Sequence, residues 1–283
     1  VFFSVMSTLI ALGLMVVFLG KMNSENVIYI LEDYSSMAIT ETDRMNVSYL
    51  IQMWTLASML SINTVTVAFT VIGTMINDET AGKIMAFYIT PVKRLYLALG
   101  YIMSAWIISA GMSVFTLVIG EIYFVMQGYE LLTVKILLKI IMEVTVSAFT
   151  FSAIGYVMAL CVHSNSGWSG VLTITGTLVG FASGIYIPIS QFSHTIQAIV
   201  KVTPFLHSAA ILRKTATADI IVKTFKNVPD EVMQAYCDKM SIDVIINEEV
   251  WNERQQIILI LVYSVAAILI AVTITKKRKL KDR

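Results

Sequence analysis

The chain has 283 residues, 57% of them hydrophobic and only 14% charged, against about a quarter charged in soluble domains. With a mean hydropathy of +0.78, this composition excludes an ordinary soluble domain and describes a polytopic membrane protein. The net charge of +1 says little as a total; its distribution along the chain carries the information.

Residues 1–20 form a nearly unbroken apolar run, about long enough to span a bilayer. The run lacks the charged start and small-residue cleavage site of a secretory signal. It is therefore read as a true span whose preceding segment lies outside this sequence. Residues 21–49 are polar and mostly acidic, with Glu25, Glu32, Asp33, Glu41 and Asp43 against Lys21 and Arg44, and read as an outer loop. A second span is expected over 50–76. It carries hydroxyl and amide side chains, among them Ser58, Asn63, Thr66 and Thr70. Polar groups at membrane depth face other helices or line a cavity, and both readings stay open for these residues.

Residues 77–94 (NDETAGKIMAFYITPVKR) form a charged island between two apolar runs. Asn77 and Asp78 are good helix caps, and Glu79 sits where a helix dipole favours an acid. Glu79 and Lys83 are four apart in the favourable order. Ile84, Phe87 and Tyr88 share one helical face, and Thr90-Pro91 ends the pattern. Lys93 and Arg94 follow, and basic residues beside spans prefer the cytoplasm. The pattern predicts a short amphipathic helix at the cytoplasmic surface; an ordinary solvated loop is the alternative.

Further spans are expected over 95–125, 135–162, 171–189 and 257–274. The fourth contains Lys139 and Glu143, an i,i+4 pair. An ionisable residue inside a span is a functional candidate, and a self-neutralising pair with Lys139 snorkelling is the structural alternative. Trp168, after the fourth span, suits an interface belt. In the fifth span Gly176, Gly180 and Gly184 recur every four residues, a spacing that allows close helix approach, and Pro188 follows. An amphipathic stretch covers 191–202. Residues 206–255 form the largest polar segment. A short helix is expected over 230–240, a brief strand over 241–246, and a helix start at 247–249 that runs on into the last span. The basic tail after residue 275 marks the cytoplasmic side. Cys161 and Cys237 give no disulfide framework and are expected as free thiols. No P-loop and no H-E-x-x-H occur, and the three histidines are scattered.

Two motifs carry a resemblance. Glu79-x-x-Gly82-x-Ile84 with Thr90-Pro91-Val92-x-Arg94, and the later order Gly184, Pro188, Pro204, Arg213, are similar to ABC transporter permeases of the drug and polysaccharide exporter class (ABC-2 type). Lys83 and Phe87 depart from that family's usual Thr or Ser and Leu. The resemblance implies an all-α integral membrane protein of the bacterial cell membrane. It would have six transmembrane helices, a cytoplasmic coupling helix, short outer-leaflet re-entrant helices after span 5, and a cytoplasmic C-terminus, in a single permease domain over 1–283. It implies an exporter of hydrophobic or amphipathic compounds with no cofactor of its own, ATP and Mg being held by a separate ABC ATP-binding subunit. Its other partners would be a second copy or paralogue and membrane lipid, with no nucleic acid. The ATPase-coupling residues implied are Asp78, Glu79, Gly82, Lys83, Ile84, Phe87, Tyr88, Pro91 and Arg94. The path would be lined by Asn63, Thr66, Thr70, Gly180, Gly184 and Pro188. A secondary carrier or an intramembrane enzyme is the competing class.

Overall fold

The computed structural model describes residues 13, 20–34, 38–84, 94–246 and 248–277. Among these the protein is all-α apart from one hairpin. The helices are α1 (Gly20–Tyr34), α2 (Glu41–Thr80), α3 (Arg94–Met126), α4 (Val134–Leu160), α5 (Asn165–Ala182), α6 (His194–Val202), α7 (Pro204–Thr224), α8 (Asp230–Lys239) and α9 (Glu253–Lys277). Strands β1 (Ile245–Ile246) and β2 (Glu249–Val250) pair antiparallel between α8 and α9, with Ile245 opposite Val250. The expected span over 1–20 and the basic tail from 278 lie outside the described residues.

Four helices are long and apolar enough to cross a membrane, namely α2, α3, α4 and α9. Helices α6 and α7 add a fifth if the pair, bent by 78°, counts as one broken span. The 50–76 pattern is the middle of α2, a 40-residue helix. It starts earlier than its apolar run because Thr40 closes a capping box. The Thr40 hydroxyl accepts from the Asp43 amide at 3.2 Å, and the Asp43 carboxylate accepts from the Thr40 amide at 3.0 Å. The expected outer loop over 21–49 is thus largely helical. Helix α1 buries Val27 and Leu31 against Val47 and Leu50 of α2.

The expected span over 171–189 is shorter than its pattern. Helix α5 begins at Asn165 and stops at Ala182. Gly184 takes φ +70°, its amide donates to Phe181 O at 3.0 Å, and the Ile185 amide donates to Gly180 O at 3.1 Å. This left-handed stop satisfies the last carbonyls and needs glycine at its turning residue. The chain then folds back, and the Tyr186 ring covers the position that a Gly180 side chain would take.

The segment over 206–255 proves least like its polar reading. Its first part, α7, is among the most buried helices, with Leu206, Ala209, Ala210, Ile211 and Leu212 in the core. Its polar residues are buried too, because they bond to neighbouring helices. Ser208 accepts from Ser61 of α2 at 3.1 Å and donates to Ser147 of α4 at 3.0 Å. Of the expected helix start at 247–249, residue 247 lies outside the described residues and Glu249 belongs to β2; α9 begins only at Glu253. The helix expected over 230–240 is α8, and β1 lies within the expected 241–246 strand.

The bundle has two ends. At one, α2 hands over through residues 81–93 to α3; this is the loop end. Met75, Ile76, Ala98, Leu160 and Trp168 form its core. At the other, α8 and the hairpin cap the helices; Trp54, Ile220, Phe225, Tyr236 and Ile242 pack there. Trp168, expected in an interface belt, is buried instead. A Cβ on Gly73 of α2 would lie 2.5 Å from its indole nitrogen. Close helix approach therefore depends on Gly73, with Gly155 receiving Phe69 in the same core, whereas Gly176 has nothing within 4 Å.

Gly73→Leu is expected to force α2 and α5 apart and cost about 1–3 kcal/mol. Gly111→Ala, at an open position of α3, is expected to leave stability unchanged or slightly raised. Thermal unfolding in detergent compares the two.

Candidate functional site

The loop end is a tied corner. Asn77 and Asp78 do not open a helix, as their capping character suggests; they form the last turn of α2. The helical pattern of α2 continues through them, and their side chains are used laterally. Asp78 accepts from the Tyr101 hydroxyl of α3 at 3.0 Å and from Lys83 at 3.3 Å. Asn165, at the start of α5, donates to Asn77 Oδ1 at 3.1 Å and to Thr80 Oγ1 at 3.3 Å. The helix stops at Gly82, φ +72°, with its amide on Glu79 O at 3.0 Å and the Lys83 amide on Asp78 O at 2.9 Å. The Glu79–Lys83 pair expected from spacing is replaced by Asp78–Lys83, because the helix ends between the two partners. Ile84 is buried within this chain rather than presented outward. It lines a small cavity with Met75, Glu79, Arg94, Tyr101 and Tyr156. Phe87, Tyr88 and Pro91 lie outside the described residues.

The second set of residues lies along α2 and α5, which pack side by side. Asn63 turns inward and donates to Thr116 of α3 at 3.0 Å. Thr66 is half-buried, and Thr70 and Thr74 are exposed, one helical turn apart. On α5, Ser169, Thr173 and Thr177 repeat the same spacing and are exposed. Five of the six hydroxyls donate to a carbonyl four residues back, and Thr74 to one three back, at 2.7–3.0 Å. Each hydroxyl keeps its acceptor lone pairs free. The result is an open hydroxyl stripe on a packed helix pair, of which α2 is long and apolar enough to cross a membrane. Gly180 and Gly184 lie at the fold-back of α5, and Pro188 precedes a single 3-10 turn over Ile189–Gln191.

Glu143 is 1% exposed. Its Oε1 accepts from Thr215 of α7 at 2.6 Å and lies 4.0 Å from Lys139. The self-neutralising i,i+4 pair is therefore incomplete. Lys139 makes its tighter contact, 2.5 Å, with Glu253 at the start of α9. One ammonium is shared by two carboxylates, and Glu253 is far in sequence from the pair.

Arg213, fully buried on α7, appears in the sequence only as the end of a motif, and its role was not legible there. Its Nε donates to Ser58 of α2 at 2.7 Å, and its guanidinium lies 4.4 Å from the Trp54 ring centre. Nη1 reaches Ser241 O at 3.5 Å, and Trp54 Nε1 donates to Met240 O at 2.9 Å. Among the described residues no carboxylate pairs with it. Met240 caps the C-terminal end of α8 and Ser241 follows it, so the buried cation lies toward the negative end of a helix dipole and against a π-face. No family model matches the chain, and none of the curated proteins matches it.

Cys237, on α8 one turn before this contact, is buried, and burial pushes its thiol up to about 12. Its thiolate fraction near neutral pH is very small, and the thiolate is the reactive form. In a Cys161→Ser background, Cys237 is expected to resist maleimide. Arg213→Met removes the tie to Ser241, and labelling is expected to accelerate at least tenfold while the spans stay folded. Separately, Lys139→Met is expected to cost about 1–3 kcal/mol by leaving a buried Glu143 carboxyl short of a partner. Glu253→Gln should cost less, since Glu253 reaches solvent, and Lys139→Met with Glu143→Gln should recover most of the loss. Denaturant unfolding of the three variants gives the order.

Proposed function

We propose that this chain is the membrane subunit of an ATP-driven exporter, energised by a separate ABC ATP-binding subunit and working beside a second copy or a paralogue. The reading takes six spans, a cytoplasmic coupling helix within 77–94, outer-leaflet re-entrant helices around α6, and a cytoplasmic C-terminus in a bacterial cell membrane. The observation that carries it is the tied corner. The connection between α2 and α3 leaves from a helix end bonded to α3 by Asp78–Tyr101 and to α5 by Asn77–Asn165. A push on that connection is delivered to three helices at once. Two of them, α2 and α5, carry the open hydroxyl stripe of Thr66, Thr70, Thr173 and Thr177. In a membrane such a stripe faces another protein surface or a water-filled path.

In this mechanism ATP binding closes the two ATPase subunits under the corners of the paired permeases. The corners rotate α2 and α5, and the stripes part to admit a hydrophobic or amphipathic compound. The bonds at the corner transmit motion and form no catalytic site. A proton-driven secondary carrier is the competing reading, favoured by Glu143, whose Oε2 is buried with no hydrogen-bond partner.

The test is a search of the neighbouring reading frames for a P-loop protein and co-purification with it, followed by ATP hydrolysis across a panel of antibiotics, peptides and lipid-linked glycans. The expected result is a stable complex whose hydrolysis rises with one compound class. Tyr101→Phe combined with Asn165→Ala is expected to leave the complex intact and lower that stimulation several-fold. Transport that survives ATP depletion but collapses with a protonophore would select the carrier.

A further inference from the structure

A cavity of about 140 Å³ lies at the cap end, between α6, the start of α7, the end of α8 and the hairpin. Three of its walls carry charge: Lys201 of α6, Asp238 of α8 and Asp243. Asp243 is already engaged by Lys214 at 2.5 Å. Lys201 and Asp238 enter no ion pair among the described residues. The cavity thus sets one uncommitted cation and one uncommitted anion around a single small volume.

Ser241 contributes a third group. It is buried, its hydroxyl has no hydrogen-bond partner, and its backbone is left-handed at φ 52°. A buried hydroxyl left without a partner is destabilising, and a ligand that pairs with it relieves that cost. A non-glycine residue held left-handed adds strain that clusters at binding sites. Gly184 lies close beneath; a Cβ there would sit 3.1 Å from the Ser241 hydroxyl. The carbonyl of Ser241 is drawn to Arg213, which leaves the hydroxyl as its free polar group.

The position of the cavity selects its occupant. Helix α6 exposes Ile196, Ile199 and Val202, at 47%, 63% and 59%, on one side. A short helix with such a stripe lies in the plane of a membrane interface, and Lys201 is part of its last turn. The cavity therefore stands at headgroup depth. A purely anionic headgroup would leave the Asp238 carboxylate without a partner. A quaternary ammonium offers no N–H to Asp238. We infer that this cavity binds the zwitterionic headgroup of an ethanolamine phospholipid. The phosphate lies on Lys201 and the Ser241 hydroxyl, the primary ammonium on Asp238, and the acyl chains pass over Ile196 and Ile199.

The purified full chain, in delipidated detergent solution, is titrated with dihexanoyl phosphatidylethanolamine, the matching phosphatidylcholine and phosphatidylglycerol, and free phosphoethanolamine, with binding read as thermal shift and by native mass spectrometry. The ethanolamine lipid is expected to bind at least tenfold more tightly than the other three. Ser241→Gly suits the left-handed backbone and keeps the fold, so it isolates the hydroxyl; its binding is expected to fall roughly five- to tenfold. Lys201→Met and Asp238→Asn should each weaken it similarly. Equal binding of the three lipids, or no change in any of the three variants, would overturn the assignment. Free phosphoethanolamine binding as tightly as the lipid would overturn the lipid source.

Discussion

The guanidinium of Arg213 sets the terms for the cap end of this protein. A cation removed from water needs compensation, and an isolated one in a low-dielectric interior is among the most expensive groups to bury. The compensation here is distributed: the Ser58 hydroxyl, the Trp54 ring, and the carbonyl end of α8. None of these is a full counter-charge, so each must be held in place. Trp54 is fixed by its own bond to Met240 O. That bond brings the end of α8 down onto α2, and the left-handed backbone of Ser241 follows. The hairpin, the cavity and the buried Cys237 lie next to this contact.

Much of the helical architecture was legible because apolar runs of 20 residues or more have few alternatives. The spans over 50–76, 95–125, 135–162 and 257–274 correspond to α2, α3, α4 and α9. The errors have a common physical origin. Helix α7 reads as polar because Ser208, Thr215 and Arg213 bond to partners far along the chain, which no local pattern records. Asn77 and Asp78 looked like helix starters because their short polar side chains suit a cap; in the fold those groups bond sideways to Tyr101 and Asn165. Glu143 was visible as an intramembrane acid, but its second neighbour, Glu253, is 110 residues away in sequence. Glycine misled in α5 for a related reason. A four-residue spacing permits close packing without requiring it, and the packing went to Gly73.

Helix α2 joins the two ends. At 1.5 Å per residue its 40 residues run about 60 Å, with none of the chain's four prolines in it. Near one end it holds Trp54 and Ser58 under the cap; at the other it holds Asn77 and Asp78 in the corner. A helix without a proline break transmits rotation along its axis, since its kinks arise at such breaks. One continuous helix thus carries both the corner contacts and the Ser58–Arg213 contact. The hydroxyl stripe lies between these two anchor points on the same rod. Any displacement that opens the stripe must strain the Arg213 contact, the Asn77–Asn165 contact, or both. That geometric dependence ties the corner to the cap at the far end of the same helix.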